Sequence, residues 1–400
     1  MFKFRIGWLV ILAVLATASP KARAASLAMG FRVGEVTADS AVVWTRVTKH
    51  AERNWDGVRI VGRAGKRVEA YTPLATPVDQ LEGAVPGVAG SVRLLWATAA
   101  DFKNAADSGW KTVAGENDFT HQFRLTNLKP ATRYHVRVEA RPANAKSAAT
   151  HTGSFVTAAS PDDWQDVSFA VITGQAYKDL DHRDGYHMYP AMGKLDLNFL
   201  ISTGDTVYYD SEKPRARTVA LARHHWHRIY SLPRIVEFHR RVPGYWEKDD
   251  HDTLNNDGWP SQKPKWMLPM TWEDGLRTFR EQAPMGEKTY RTIRWGRGLQ
   301  IWMVEGRDFR SPNNMPDGPE KTIWGVKQRE WLKRSILASD APFRVLISPT
   351  PIVGPDRPNK RDNHSNANFA NAGNHFRDWT KHQGQPFVAS NAAGFAGGYC

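Results

Sequence analysis

The stretch LNFLISTGDTVYYD, Leu197–Asp210, contains an apolar run that ends at Gly204 and Asp205. A short, continuous apolar run bounded by a turn residue is typical of a buried strand, and glycine permits a tight turn at its end. VSFAVITG, Val167–Gly174, has the same form, and YHMYPAMGKLD between the two runs predicts a short helix. Strands that alternate with helices predict an α/β domain, in which chemistry collects where the strands end.

Two later apolar runs extend the same domain. LQIWMVEGRDFR, Leu299–Arg310, and FRVLISPTPIV, Phe343–Val353, predict further buried strands. Between them, KQREWLKRSILAS consists largely of helix formers and places Leu332 and Ile336 on one face. We therefore expect an α/β domain over residues 167–400, with this helix packed through that face.

Residues 26–158 predict an all-β domain of a different kind. AVVWTRV, SVRLLWAT, HQFRLTNL and YHVRVEA alternate apolar and polar residues, with turn residues between them. A turn at Lys129–Thr132 followed by Tyr134 resembles the tyrosine corner of immunoglobulin-like sandwiches, so its hydroxyl should bond back to nearby backbone. We expect an N-terminal fibronectin type III-like sandwich. The residues expected on its inward faces are Trp44, Leu125, Tyr134 and Val136.

The first residues predict an export signal. A short basic start precedes the apolar run Ile6–Ala18, and the small residues of Ala22-Arg23-Ala24 offer a cleavage site. We expect residues 1–24 to be removed as a signal peptide and the mature protein to be secreted or periplasmic. No later run reaches about eighteen apolar residues, so no transmembrane anchor is expected after cleavage.

The net charge of +13 suits anionic partners such as phosphate esters, nucleic acid or acidic envelope polymers. Solubility alone would explain the charge equally well. The sequence contains no nucleic-acid recognition motif, so a specific nucleic-acid partner has no support beyond this charge. The single cysteine, Cys400, excludes an intramolecular disulfide, so stability must come from packed cores and from ions.

An acidic cluster, YWEKDDHDTLNND, occupies Tyr245–Asp257 with four aspartates, one histidine and two asparagines. Like charges repel, so such a cluster is costly unless water separates the charges or a cation binds among them. A solvated acidic turn is one interpretation, and a metal site is the other. Together with Asp205 from a separate loop, the cluster could hold two metal ions that clamp a phosphoryl group and activate water.

Four blocks follow one another as TGDTVYYD, KDDHDTLNND, VEGRDFRSP and RVLISPTPIVGPDRPNKRDNH. In this order they resemble the alkaline phosphatase D (PhoD-like) branch of the metallophosphatases, from about Phe31 to about Lys381, and the N-terminal sandwich is similar to that family's N-terminal domain. The resemblance implies an α/β metallophosphatase-type β-sandwich flanked by helices for residues 167–400. It also implies a metal-dependent hydrolase of phosphate monoesters or diesters, with calcium and iron as its metal ions.

The resemblance implies roles for individual residues. His251 stands where related phosphatases place the general acid or phosphate contact, and Arg307 is expected to grip a non-bridging phosphate oxygen. Asp205 is expected to bridge the two ions, and Tyr208 to be the tyrosinate ligand of iron. The full set of metal ligands that the resemblance implies is Asp205, Tyr208, Asp250, Asn255 and Asn256.

The residues by themselves leave alternatives open. Tyr208 could be a core aromatic, and Tyr209 beside it could serve equally as a ligand. Arg307 could instead form a structural pair with Asp308 or Glu305. The three histidines of ARHHWHRIY are expected on an exposed helix or at the flank of the cleft, and a loop histidine is a candidate substrate contact. These histidines are His224, His225, His227 and His364.

Two departures from the family pattern bear on activity. The family ends its first catalytic strand with a cysteine, whereas this chain has Gly174 before Gln175, so a soft iron ligand is missing. The family also has a Gly-Asp-x-His segment near its end, and QPFVASNAAGFAGGYC contains none, so the second domain is expected to be incomplete. The alternative functions are therefore a catalytically impaired relative that binds phosphate esters, or an envelope interaction protein.

Overall fold

In the computed structural model, residues 25–64, 74–142, 145, 148–316 and 321–350 are described in full, and residues 388–390 by their backbone alone. The predicted signal peptide, the candidate substrate contact His364 and the chain from residue 391 onward lie outside the described residues.

Strands dominate the described part of the chain. The strands are β1 (Phe31–Gly34), β2 (Ala41–Arg46), β3 (Gly90–Ala97), β4 (Ala106–Asp107), β5 (Lys111–Val113), β6 (Thr120–Leu125), β7 (Arg133–Pro142), β8 (Ala149–Val156), β9 (Phe169–Ile172), β10 (Phe199–Thr203), β11 (Gly244–Glu247), β12 (Arg291–Trp295), β13 (Leu299–Met303), β14 (Phe343–Ile347) and β15 (Val388–Ser390). The α-helices are α1 (Met188–Met192), α2 (Val219–Tyr230), α3 (Pro233–His239), α4 (Trp272–Gln282) and α5 (Gly325–Leu337).

A mixed six-stranded sheet in the order β6-β2-β1-β11-β10-β9 joins the two halves of the chain. Strands β9, β10 and β11 are parallel, and β1 pairs in parallel with β11, with Gly34 opposite Gly244. A second sheet has the order β4-β3-β7-β8 with β5 beside β3, and a third has the order β12-β13-β14-β15. The N-terminal strands β1, β2 and β6 therefore continue the sheet that carries β10 and β11.

Each face of the six-stranded sheet covers a different core, because side chains alternate along a strand. On β10, Phe199 and Ile201 join the cluster that the second and third sheets share. Leu200 between them joins the cluster formed with helices α1 to α4. Helix α5 covers the outer face of the third sheet, where the predicted face of Leu332 and Ile336 is buried and is thereby confirmed.

The tyrosine corner predicted around Tyr134 is confirmed. The backbone N–H of Lys129 donates to Tyr134 Oη over 2.9 Å. Leu125, Tyr134 and Val136 lie in the core of the two N-terminal sheets, as predicted. The predicted position of Trp44 in this core was wrong. Its side chain lies on the opposite face, among the helices, and its indole N–H donates to the carbonyl of Glu281 in α4. The assignment of these sheets to the fibronectin type III class remains a prediction.

The histidines of α2 are buried, so their expected exposure was wrong. His225 Nε2 lies 2.8 Å from the carbonyl oxygen of Pro214, and His227 Nε2 lies 2.5 Å from Asp118 Oδ2. Loops of the N-terminal half cover the helix, with Arg53 donating to the carbonyl of Arg228 over 2.8 Å. A helical pattern cannot show that distant loops will cover its polar face.

None of the helices among the described residues combines the length and the apolar character needed to cross a membrane.

Replacing Tyr134 with Phe should lower the free energy of unfolding by about 1 kcal/mol, because the Lys129 N–H loses its partner. The measurement is chemical denaturation of the full chain. Tyr290→Phe is the matched control, since the Tyr290 hydroxyl has no hydrogen-bond partner among the described residues. Equal stability of the Tyr134 variant and the wild type would contradict a stabilising corner.

Candidate metal centre

The candidate site lies where β10 and β11 end side by side. The two strands are parallel and in register from Leu200 opposite Gly244 to Thr203 opposite Glu247. Each strand leads directly into an acidic loop, so the loops begin at the same edge of the sheet. Asp205 of the first loop therefore meets the acidic cluster of the second.

The structure brings together Asp205, Asp250 and His251, each with one ligand atom within 4.8 Å of the others. Asp205 Oδ1 is buried and has no hydrogen-bond partner among the described residues. Burial raises the pKa of Asp205 well above its usual range, and the carboxylates of Asp250 and Asp249 raise it further against the opposing effect of His251. A buried, unpartnered carboxylate oxygen among other carboxylates is the environment that a cation stabilises, so these residues fit a metal ion.

Asp210 holds the ring of His251. Its Oδ1 lies 2.5 Å from His251 Nδ1, and its Oδ2 accepts the backbone N–H of Asn256 over 3.0 Å. Nε2 is therefore the ring nitrogen left for an ion or a substrate. Burial lowers the pKa of His251, but Asp250, Asp205 and Asp210 together raise it well above its usual range. Asp210 is not among the predicted site residues, although it closes the quoted block TGDTVYYD.

The two neighbouring tyrosines point in different directions. Tyr208 is half-buried, its hydroxyl donates to Asp205 Oδ2 over 3.1 Å, and its ring lies 4.5 Å from that of His251. Burial raises the pKa of Tyr208, and Asp205 raises it further. The Tyr209 hydroxyl instead accepts the indole N–H of Trp226 over 2.7 Å, inside the helical core. The structure thus places Tyr208 beside Asp205 and Tyr209 away from it.

Asn256, one of the two asparagines of the predicted ligand set, contacts Asp210, the residue that holds His251. The Asn255 side-chain nitrogen donates to the carbonyl of Asn256 over 3.0 Å and to Gln262 Oε1 over 3.2 Å. Asn255 Oδ1 is buried without a hydrogen-bond partner among the described residues, while Asn256 contacts Asp210 through its backbone. Their role as ligands of a second ion stays a prediction.

Arg307 contacts the acidic loop directly. Its Nε donates to Asp249 Oδ1 over 2.5 Å, and its Nη2 lies 3.3 Å from Asp250 Oδ2. The guanidinium is buried, so it partly neutralises the carboxylates beside the candidate ligands. The alternative partners predicted from the sequence were Asp308 and Glu305. No local pattern predicts the contact with Asp249, because 58 positions separate it from Arg307.

Asp252 ties the two acidic loops together. Its Oδ2 accepts the backbone N–H of Thr206 over 3.2 Å, and its Oδ1 accepts that of Asp249 over 2.7 Å. The side chain is fully buried, and burial raises its pKa to about 8. Asp252 therefore fixes the relative position of the loops that carry Asp205 and Asp250.

Gly174 lies next to the site, at the end of β9. A Cβ atom at this position would have the Tyr208 hydroxyl as a neighbour at 3.5 Å. The backbone φ angle of +73° favours glycine over other residues. A side chain at position 174 would therefore begin beside the predicted tyrosinate ligand, at the position for which the resemblance implies a cysteine.

Two family models match the chain. The model of the PhoD-like phosphatase matches residues 169–378, and that of the PhoD-like phosphatase N-terminal domain matches residues 14–159. A search of curated proteins gave no match.

Two solved structures are similar in fold. A structure of PhoD is 16% identical with a TM-score of 0.69, over 93% of this chain and 72% of that one. The purple acid phosphatase PPD1 from seeds of yellow lupin (Lupinus luteus) is 11% identical with a TM-score of 0.52. That likeness covers 81% of this chain and 51% of the lupin protein.

Gly204→Ala should distort the site, because the position has a φ angle of +86° and a Cβ atom would lie 2.4 Å from Asp249 Cβ. We expect a loss of about 2–5 kcal/mol in the free energy of unfolding, from backbone strain and overpacking together. Thermal and chemical denaturation measure it.

Gly109→Ala is the matched control, with a φ angle of +66° and open space within 4 Å of the point that its Cβ would occupy. This variant should lower the free energy of unfolding by only about 1–2 kcal/mol, from the backbone alone. Equal losses of unfolding free energy in the two variants would show that the close approach of the two acidic loops adds nothing to the loss at Gly204.

Proposed function

Because the chain belongs to the PhoD-like phosphatase family, we propose that it is a metal-dependent hydrolase of phosphate monoesters or diesters. The observation that carries the proposal is the meeting of Asp205, Asp250 and His251 at the ends of two parallel strands. Asp205 Oδ1 is buried and has no hydrogen-bond partner in the described part of the chain. Because buried polar atoms are normally hydrogen-bonded, this favours a cation site over a hydrogen-bonded cluster.

The proposed metal ligands are Asp205, Tyr208 and Asp250, with Asn255 or Asn256 as a further oxygen donor. The oxygens suit a hard cation such as calcium, and a tyrosinate suits iron. When bound, such cations stabilise charge on the transferring phosphoryl group and lower the pKa of the attacking water.

His251 is proposed as the general acid or as a donor to the phosphate. Asp210 holds Nδ1, which leaves Nε2 as the ring nitrogen proposed to face the substrate. The surrounding carboxylates favour the protonated ring, which can donate a hydrogen bond to a non-bridging oxygen or a proton to the leaving alkoxide. Arg307, which contacts Asp249 and Asp250, stays a proposed contact of a non-bridging phosphate oxygen.

The proposed setting is outside the cytoplasm. The apolar run Ile6–Ala18 after a basic start supports export, and the net charge of +13 supports anionic substrates. Small phosphate esters are the proposed substrates.

Gly174 favours a second candidate function, a relative that binds phosphate esters but has impaired catalysis. Without a thiolate at this position, iron has one soft, charged ligand fewer. Metal content and turnover, measured on the same preparation, separate the two candidates.

Asp205→Asn should abolish the hydrolysis of p-nitrophenyl phosphate and remove most of the bound metal, because this carboxylate is proposed to bridge both ions. Phosphate release and elemental analysis of the purified protein measure the two effects. Asp340→Asn, at a side chain that is 88% exposed, should change neither. Wild-type metal content in the Asp205 variant would refute the assignment.

Gly174→Cys should increase the iron that the protein retains through dialysis, because the new side chain would begin beside Tyr208. Gly174→Ala is the matched control, since it carries the same backbone strain of about 1–2 kcal/mol without a thiolate. Iron content by elemental analysis is the measurement. Equal iron in the two variants would show that position 174 does not face the metal.

A further inference from the structure

Lys248 is a buried cation that neither the family comparison nor the proposed chemistry uses. It directly follows β11 and precedes the acidic cluster, and its side chain is 0% exposed. Its Nζ lies 2.7 Å from Glu305 Oε1 and 2.7 Å from Asp308 Oδ1. The ammonium thus links the loop after β11 to the loop after β13, which belongs to a different sheet.

The carboxylate of Glu305 closes the second loop into a turn. Its Oε1 accepts the backbone N–H of Arg307 over 3.0 Å, and its Oε2 accepts that of Asp308 over 2.6 Å. The backbone of Glu305 is bound in turn by Gln328 of α5, which accepts its N–H over 2.7 Å and donates to its carbonyl over 2.8 Å. The turn is therefore held from α5 on one side and by Lys248 on the other.

Arg307 projects from this turn back to the first loop. It reaches Asp249 and Asp250, and Asp250 is one of the three residues that meet at the candidate metal centre. The contacts run from Lys248 through Glu305 to Arg307, and from Arg307 to Asp250. Lys248 and Asp250, the two ends of this series of contacts, both lie on the loop that follows β11.

We propose that Lys248 is a positioning residue: by holding the turn from Glu305 to Asp308, it keeps Arg307 on Asp249 and Asp250 and so orients Asp250 for the cation. This inference rests on the proposed function, because it assumes that Asp250 binds a metal. With an uncharged side chain at position 248, the carboxylates of Glu305 and Asp308 lose their cation. Arg307, whose backbone N–H already contacts Glu305, is then expected to turn toward these carboxylates and away from Asp250.

A purely structural role is the competing explanation. Buried ion pairs often contribute little net stability, whereas loss of one partner leaves a costly unpaired charge. Any substitution of Lys248 is therefore expected to lower the melting temperature under both explanations. The affinity for metal separates them, because only a positioning role links that affinity to Lys248.

The test is a calorimetric titration of the full chain with Ca²⁺, comparing wild type, Lys248→Met and the milder Asp308→Asn. Loss of a group that orients a metal ligand typically weakens binding by about 10- to 100-fold, and we expect this for Lys248→Met. A smaller weakening is expected for Asp308→Asn, which keeps the ammonium and Glu305. The Asp308 variant decides the question if Lys248→Met does not fold.

Arg46→Met is the matched control. It removes the cation of another buried ion pair, in which Arg46 Nη2 lies 2.8 Å from Asp118 Oδ1 and the side chains are 2% and 6% exposed. This variant should melt at a lower temperature and bind Ca²⁺ as the wild type does.

The outcomes separate the inference from the proposed function. Folded Lys248→Met or Asp308→Asn protein with wild-type Ca²⁺ affinity overturns the positioning role and leaves the proposed hydrolase untouched. Weakened affinity in Arg46→Met to the same degree also overturns it, because general destabilisation would then explain the effect. A wild type that binds Ca²⁺ but hydrolyses no phosphate ester overturns the proposed function, while the positioning role is still decided by the affinities.

Discussion

The crowding of carboxylates at the ends of β10 and β11 is the constraint on which the rest of the structure depends. Parallel pairing brings Asp205 beside Asp250, and both Asp205 Oδ1 and the Asp250 side chain are buried. Buried like charges are costly unless cations or hydrogen bonds compensate them. Part of this repulsion is offset by Arg307, which contacts Asp249, and by the backbone N–H groups that Asp252 accepts. The proposed metal would offset the rest.

The packing of the sheets fixes the position of the sheet edge at which β10 and β11 end. The six-stranded sheet continues from β9 to the N-terminal strand β6, so β10 and β11 lie inside it, with a packed core on each face. The third sheet supplies Glu305 and Arg307 from the end of β13, and α5 anchors their turn. A site assembled from the ends of strands in two packed sheets is more precisely positioned than one built on loops alone.

The helical face of the same sheet has its own buried charges. Asp118 accepts from Arg46 and lies against His227 of α2, and these two neighbours hold its pKa well below the usual range despite its burial. The pair lies on contacts between the N-terminal half and the helices. The N-terminal half therefore does more than precede the second domain, because its strands and loops cover part of it.

Local sequence determined much of the fold and some of the site. The buried strands, the packed face of α5, the corner at Tyr134 and the turn at Gly204 followed from apolar spacing and turn residues, which act over a few positions. The tertiary structure alone decided that Asp210 holds His251, that Arg307 reaches Asp249, and that Trp44 and the histidines of α2 are buried among helices and loops. The reason is physical: these contacts join residues far apart in the chain, 41 positions for Asp210 and His251 and 58 for Arg307 and Asp249. Strand pairing and the covering of each sheet face select such partners, and no local pattern records them.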